Sequence, residues 1–183
     1  MNDKDLELIE RFKNGDLEGF EMLVKKYQDR VINIAYPLCG NAYDAEDIAQ
    51  EVFLKIYHWL NGFKREAKFS SWLYRITVNS TYDFLRKGRH KAASLEDIDY
   101  TEIADKKITP EDILVKELIK DALNKIPFEF RSALILKEME GLPYEEIAQA
   151  LKIPIGTVES RISRARQMLK DILLRKGILK NEL

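Results

Sequence analysis

Between residues 142 and 170 the chain reads LPYEEIAQALKIPIGTVESRISRARQMLK, and Pro154 in its middle leaves little choice of local structure. A proline has no backbone N–H to donate and biases the residue before it away from helix, so a helix begun upstream must end here and another must start. Upstream, Ile147, Ala148 and Leu151 recur at the spacing of one helical face, with Pro143, Glu145 and Glu146 suited to a first turn. Residues 152–155 break the pattern, and a second helix is predicted from about residue 156 or 157 to residue 176. Two helices across so tight a turn form a helix-turn-helix.

The second helix divides into faces. Val158, Ile162, Ala165 and Leu169 line one side, while Glu159, Ser160, Ser163, Arg164 and Gln167 point the other way and Arg161 and Arg166 lie on the flanks. Short polar groups near the N-terminus of such a helix reach base edges, and flanking arginines neutralise phosphates. Residues 155–176 hold six basic residues against two acidic ones, which favours a DNA-facing helix over a merely solvated one.

The chain before it is predicted to be all helical. Residues 3–14 and 16–39 form two amphipathic helices, the second with a core stripe of Phe20, Leu23, Val24, Tyr27, Val31, Ile34 and Ala35. A third helix, residues 43–60, carries Asp44, Glu46, Asp47 and Glu51 before its first lysine at position 55. Capping and the helix dipole explain Asp44 and Glu46. They leave Asp47, Gln50, Glu51, Leu54 and His58 as a mixed stripe, and Phe53 and Tyr57 outside the core stripe of Ile48, Val52, Ile56 and Leu60. An acidic and aromatic face of this kind fits a basic partner helix.

From residue 62 to 91 the charge inverts: Lys64, Arg65, Lys68, Arg75, Arg86, Lys87, Arg89 and Lys91 oppose only Glu66 and Asp83. A loop over 62–68 leads to a helix, capped by Ser70 or Ser71, that runs to about residue 87. Its Arg75, Asn79, Tyr82 and Arg86 stripe, with the loop, places cations beside rings and an amide, a combination suited to unpaired DNA. Residues 94–112 then hold seven acidic residues against Lys106 and Lys107 and read as a linker. Helices over 111–126 and 128–139 lead into the helix-turn-helix.

The expected fold is therefore all-α: two small helical domains, residues 1–90 and 111–183, joined by an acidic linker over 91–110, the second containing the helix-turn-helix. A net charge of −1 excludes a uniformly basic DNA-coating protein, so nucleic-acid surfaces must be local. Cys39, alone, excludes an internal disulfide or a cysteine metal cluster and suits a small buried side chain. Without a long apolar run or signal-peptide pattern, the protein is expected to be cytoplasmic, and no catalytic residue, metal or cofactor is expected.

Three segments, DAEDIAQEVFLKIY, FSSWLYRITVNSTYDFLRK and LPYEEIAQALKIPIGTVESRISRAR, in this order and spacing closely resemble the extracytoplasmic-function (ECF) sigma factors of the sigma-70 family, over nearly the whole chain. The resemblance implies a non-enzymatic factor that binds core RNA polymerase and directs it to promoters. It implies that Asp47, Gln50, Glu51, Phe53 and Tyr57 contact the clamp helices of the large subunit. Phe63, Lys64, Arg65, Lys68, Phe69, Arg75 and Asn79 are implied at the minus-10 strand, and Thr157, Glu159, Ser160, Arg161, Ser163, Arg164 and Arg166 at the minus-35 element. Among these, Thr157, Arg161 and Arg166 suit phosphates. Many relatives carry arginine where Glu159 stands, and a carboxylate there suits a cytosine amino group. The resemblance further implies an anti-sigma factor, often membrane-anchored, and a stress or envelope regulon.

Two other classes differ in what they require. A stand-alone repressor needs a dimer interface and has no use for the basic, aromatic surface of the first domain. A metal-dependent enzyme built on Asp44, Glu46, Asp47 and Glu51 would draw all its ligands from one helix, and neither His58 nor His90 follows a glutamate by three residues as a di-iron bundle requires.

Overall fold

The computed structural model describes residues 3–88 and 110–178, all of whose regular structure is helical. The expected acidic linker lies, apart from Pro110, outside the described residues. Helices α1 (Asp3–Lys13), α2 (Leu17–Cys39), α3 (Ala42–Trp59) and α4 (Phe69–Arg86) form the first group, with a 3-10 turn at Leu60–Gly62. Helices α5 (Pro110–Asn124), α6 (Phe128–Glu138), α7 (Tyr144–Leu151) and α8 (Ile155–Arg175) form the second.

In the first group α2 is the central post. Asp16 caps its start by accepting from the Glu18 N–H at 3.0 Å, and Arg11 holds that carboxylate at 2.7 Å, so α1 and α2 are tied at their junction. Leu23, Tyr27, Val31, Ile34, Ala35 and Leu38 are buried along it. Ile48, Val52 and Ile56 of α3 and Leu73, Ile76 and Phe84 of α4 complete the core from either side. The helix tolerates Pro37 only two residues from its end, and Gly40 ends it in a left-handed conformation (φ 79°) with its N–H on the Tyr36 carbonyl.

The second group is organised on α6, in which six consecutive residues from Arg131 to Leu136 are buried. A helix buried on every side is a central one. One side of α6 meets α8 and another meets α2 of the first group, so the two groups share one continuous apolar core.

Arg131 makes that junction specific. Its guanidinium is buried and donates to the Leu38 carbonyl at 3.0 Å, the Leu123 carbonyl at 3.0 Å and Asn124 Oδ1 at 2.9 Å. The last turn of α2 has no basic residue of its own, so a cation from the other half of the chain satisfies a carbonyl at its negative end. Burial holds the Arg131 guanidinium below its ordinary pKa, the sign of a charge taken out of water at a cost. Arg131→Ala is expected to lower stability by about 1–2 kcal/mol in urea denaturation, because the carbonyls lose their donor while the cost of burying the charge is relieved.

Candidate nucleic-acid and partner interfaces

The helix-turn-helix closes at Lys152, the one described residue other than glycine with positive φ (54°). This left-handed residue caps α7, and the next N–H, of Ile153, reaches back to the Ala148 carbonyl at 3.1 Å. Pro154 then caps the start of α8, whose first helical residue is Ile155 rather than residue 156 or 157. A proline costs nothing there, because the first N–H groups of a helix have no internal partner. Ile147 and Ala150 of α7 pack with Val158, Ile162 and Ala165 of α8, all fully or almost fully buried. Ala150, not Leu151, is thus the inner residue of the last turn of α7.

This packing aims the opposite side of α8 outward. Glu159, Ser160, Ser163 and Arg164 are exposed, and Thr157 and Arg161 are half-buried at its edges. Ser160 Oγ donates to the Thr157 carbonyl at 3.0 Å, which fixes its hydroxyl rotor. Arg166 is held differently from Arg164. Both its Nε (3.1 Å) and its Nη2 (2.6 Å) donate to Glu138 Oε1 of α6, and this carboxylate raises its pKa further.

On α3, Asp47 and Gln50 are exposed, whereas Glu51 is half-buried and bridged at 2.8 Å to Lys55, which also donates to Ser80 Oγ of α4 at 2.8 Å. Phe53 is half-buried against the core, so it does not stand free as its sequence position suggested. The exposed apolar residue on the Asp47, Gln50 stripe is Leu54, at 62% exposure. Sequence reading placed Leu54 on that stripe without assigning it a contact. Tyr57, 41% exposed, stacks edge-on against Phe12 and Phe20, which hold its ring in place.

The loop before α4 is also divided. Lys64, Arg65 and Lys68 are exposed, but Phe63 and Phe69 are only 7% and 3% exposed. Their rings pack on each other, on Trp72 and, from Phe69, on Tyr27. The expectation that both phenylalanines meet DNA is corrected for Phe69, whose ring forms part of the floor on which the loop rests, whereas Phe63 also lines a cavity shared with Trp72. Neither Ser70 nor Ser71 caps α4, which starts at Phe69 after Lys68 with no side-chain cap. Instead Ser71 is 2% exposed, and its hydroxyl has no protein partner.

Ser71 also lines a cavity of about 540 Å³, together with His58, Trp59, Phe63, Trp72, Arg75 and Gln149, although its hydroxyl oxygen is itself shielded from the surface. Asn79, one turn beyond Arg75, is exposed. The cavity offers an aromatic wall and a cation, which is the chemistry that binds an unstacked base.

Outside these sites, Cys39 is buried with its thiol pushed up to about 11, first by desolvation. No described helix is long and apolar enough to cross a membrane.

Comparison with known proteins shows the family of the chain. The sigma-70 region 2 family matches residues 23–91, and the sigma-70 region 4 family matches residues 116–169. The RNA polymerase sigma-H factor of Pseudomonas aeruginosa is 37% identical over 93% of this chain and 94% of its own length. The ECF RNA polymerase sigma factor SigW of Bacillus subtilis is 36% identical over 90% and 94%. Among solved structures, the sigma factor RpoE bound to the anti-sigma factor NepR from Bartonella quintana superposes with a TM-score of 0.65 at 25% identity, covering 84% of this chain and 96% of that one. CnrH, in complex with the cytosolic domain of CnrY, shares the fold with a TM-score of 0.73 at 24% identity over 93% and 97%. The chain belongs to the ECF sigma factors of the sigma-70 family. It is a transcription initiation factor, not an enzyme, and acts in promoter-directed initiation.

Proposed function

We propose that residues 1–90 bind core RNA polymerase and read the unpaired minus-10 strand, and that residues 111–183 read the minus-35 duplex. The polymerase contact is the α3 face of Asp47, Gln50, Leu54 and Tyr57, with Glu51 set by its bridge to Lys55; its partner is the clamp-helix pair of the large subunit. Lys64, Arg65 and Lys68 hold strand phosphates, Arg75 and Asn79 hold base edges, and the cavity beside Ser71 and Trp72 receives one flipped base.

No covalent step is involved. Opening the duplex costs a few kcal/mol per unstacked base, and capture in a formed cavity offsets it. On α8, Glu159, Ser160, Ser163 and Arg164 meet base edges, and Thr157, Arg161 and Arg166 meet phosphates. An anti-sigma partner, as in the RpoE–NepR complex, holds the factor inactive in the cytoplasm until a stress or envelope signal releases it.

The observation that carries this reading is the cavity with an aromatic wall and Arg75 beside it. The test mixes the full chain with bacterial core polymerase and a pool of genomic promoter fragments. Transcripts starting at shared sequence elements, and only when the chain is present, are expected. Core association with no selected starts would overturn the promoter-reading assignment.

A further inference from the structure

The core stripe of α3 runs out at a tryptophan. Ile48, Val52 and Ile56 follow one another along a single helical face and are at most 1% exposed. Trp59 stands three residues beyond Ile56 and continues that face, yet it is 53% exposed. The helix ends at this residue, and Leu60, which opens the 3-10 turn, is the side chain that fills the core there, at 0% exposure. The indole therefore leaves the bundle at the end of the stripe, where it lines the strand-reading cavity with Trp72, Arg75 and Lys64. Phe63, Phe69 and Trp72 pair with one another, and Tyr57 pairs with Phe12 and Phe20. Among the described residues no ring pairs with that of Trp59.

Resting on the proposed reading of the cavity, we infer that Trp59 is a stacking platform for the base next to the one the cavity receives. Taking one base out of a strand bares a face of its neighbour, and part of the cost of unstacking is the loss of that contact. An indole at the same cavity covers the bared face, and Lys64 places a cation beside the ring for the phosphate of that nucleotide. Stacking reads ring area rather than hydrogen-bond pattern, so Trp59 favours a purine at this position without naming which one. The polymerase face of α3 does not include it. Two helical steps carry Trp59 roughly 200° around the axis from Tyr57, to the far side of the helix.

Holoenzyme assembled from the full chain and core polymerase provides the test, on promoter duplexes with 2-aminopurine at successive positions of the minus-10 strand. This purine is dim when stacked and bright when free. The captured base is located as the position whose signal changes in Arg75→Ala. Beside it, one position should be dim with the unaltered chain and bright in Trp59→Ala. The same variant should shorten the lifetime of the open complex about tenfold and abolish the preference for a purine at that position, with core association and helical content unchanged. Trp59→Phe, which keeps a ring, should restore most of the lifetime. The platform is overturned if Trp59→Ala brightens no position, if the phenylalanine variant is as short-lived as the alanine one, or if the loss appears in core association, which would assign the indole to the polymerase instead. Failure of the underlying site shows separately: Arg75→Ala would then change the signal at no position.

Discussion

Replacing Asp47 by lysine is expected to abolish association with core RNA polymerase while leaving the helical content unchanged. Asp47 is exposed on α3, away from Ile48, Val52 and Ile56, which are buried in the core. A substitution at such a site alters stability by no more than about 0.5 kcal/mol, so loss of binding will not reflect unfolding. The neighbouring carboxylate, Glu51, is already bridged to Lys55, whereas Asp47 is an exposed charge on the same stripe that a basic partner can meet. Reversing it sets like charges against each other, at a cost of several kcal/mol across an interface. Co-elution with core polymerase, alongside circular dichroism of the free variant, measures both parts. Retained co-elution would remove this face from the interface and turn attention to the exposed residues elsewhere on the first half.

The second large effect lies on α8. Arg164→Ala should weaken binding to the minus-35 element by about 1–3 kcal/mol, roughly 5-fold to 150-fold, and relax base preference at one position. Arg166→Ala should weaken all sequences alike and by less. The two arginines are both exposed, yet Arg166 donates twice to Glu138, so its charge is partly satisfied within the protein before DNA arrives. Arg164 has no such side-chain bond among the described residues and projects from the middle of the exposed face. Competition binding against single-base variants of the element separates the outcomes. A change of base preference in Arg166→Ala, with none in Arg164→Ala, would exchange their roles.

Both predictions depend on faces that were legible in the primary structure, and the reason is local. Helical periodicity and the positions of Pro143 and Pro154 depend on residues within a turn or two of one another. The alternation of apolar and polar residues in α8 therefore reveals which side is buried without any knowledge of what buries it. The acidic α3 and the basic loop and α4 stood out in the same way, because a charge excess within one segment needs no tertiary information. The left-handed Lys152 was not legible. Glycine or asparagine usually marks such a cap, and position 152 holds neither.

Aromatic residues in the loop mark the limit of local reading. Phe63 and Phe69 lie in a basic segment, where rings suit base stacking, but four aromatic side chains from α2, the loop and α4 pack on one another, which buries Phe69 and leaves Phe63 at the wall of the cavity. On α3 the apolar positions 53 and 54 differ by one step of the helix, and only the packing of α3 in the first group decides that Phe53 is half-buried against the core and Leu54 exposed.

By itself, the sequence determined the helices, the amphipathic face of each, the helix-turn-helix and the family to which the chain belongs. Tertiary structure alone decided which charges remain available and how the two halves meet. Glu138 and Arg166 are 28 residues apart, Lys68 and Glu146 are 78 apart, and Arg131 reaches a carbonyl 93 residues away. A residue's periodicity reports that it faces a neighbour; the identity of a neighbour so distant along the chain exists only once the core has closed and brought the two together.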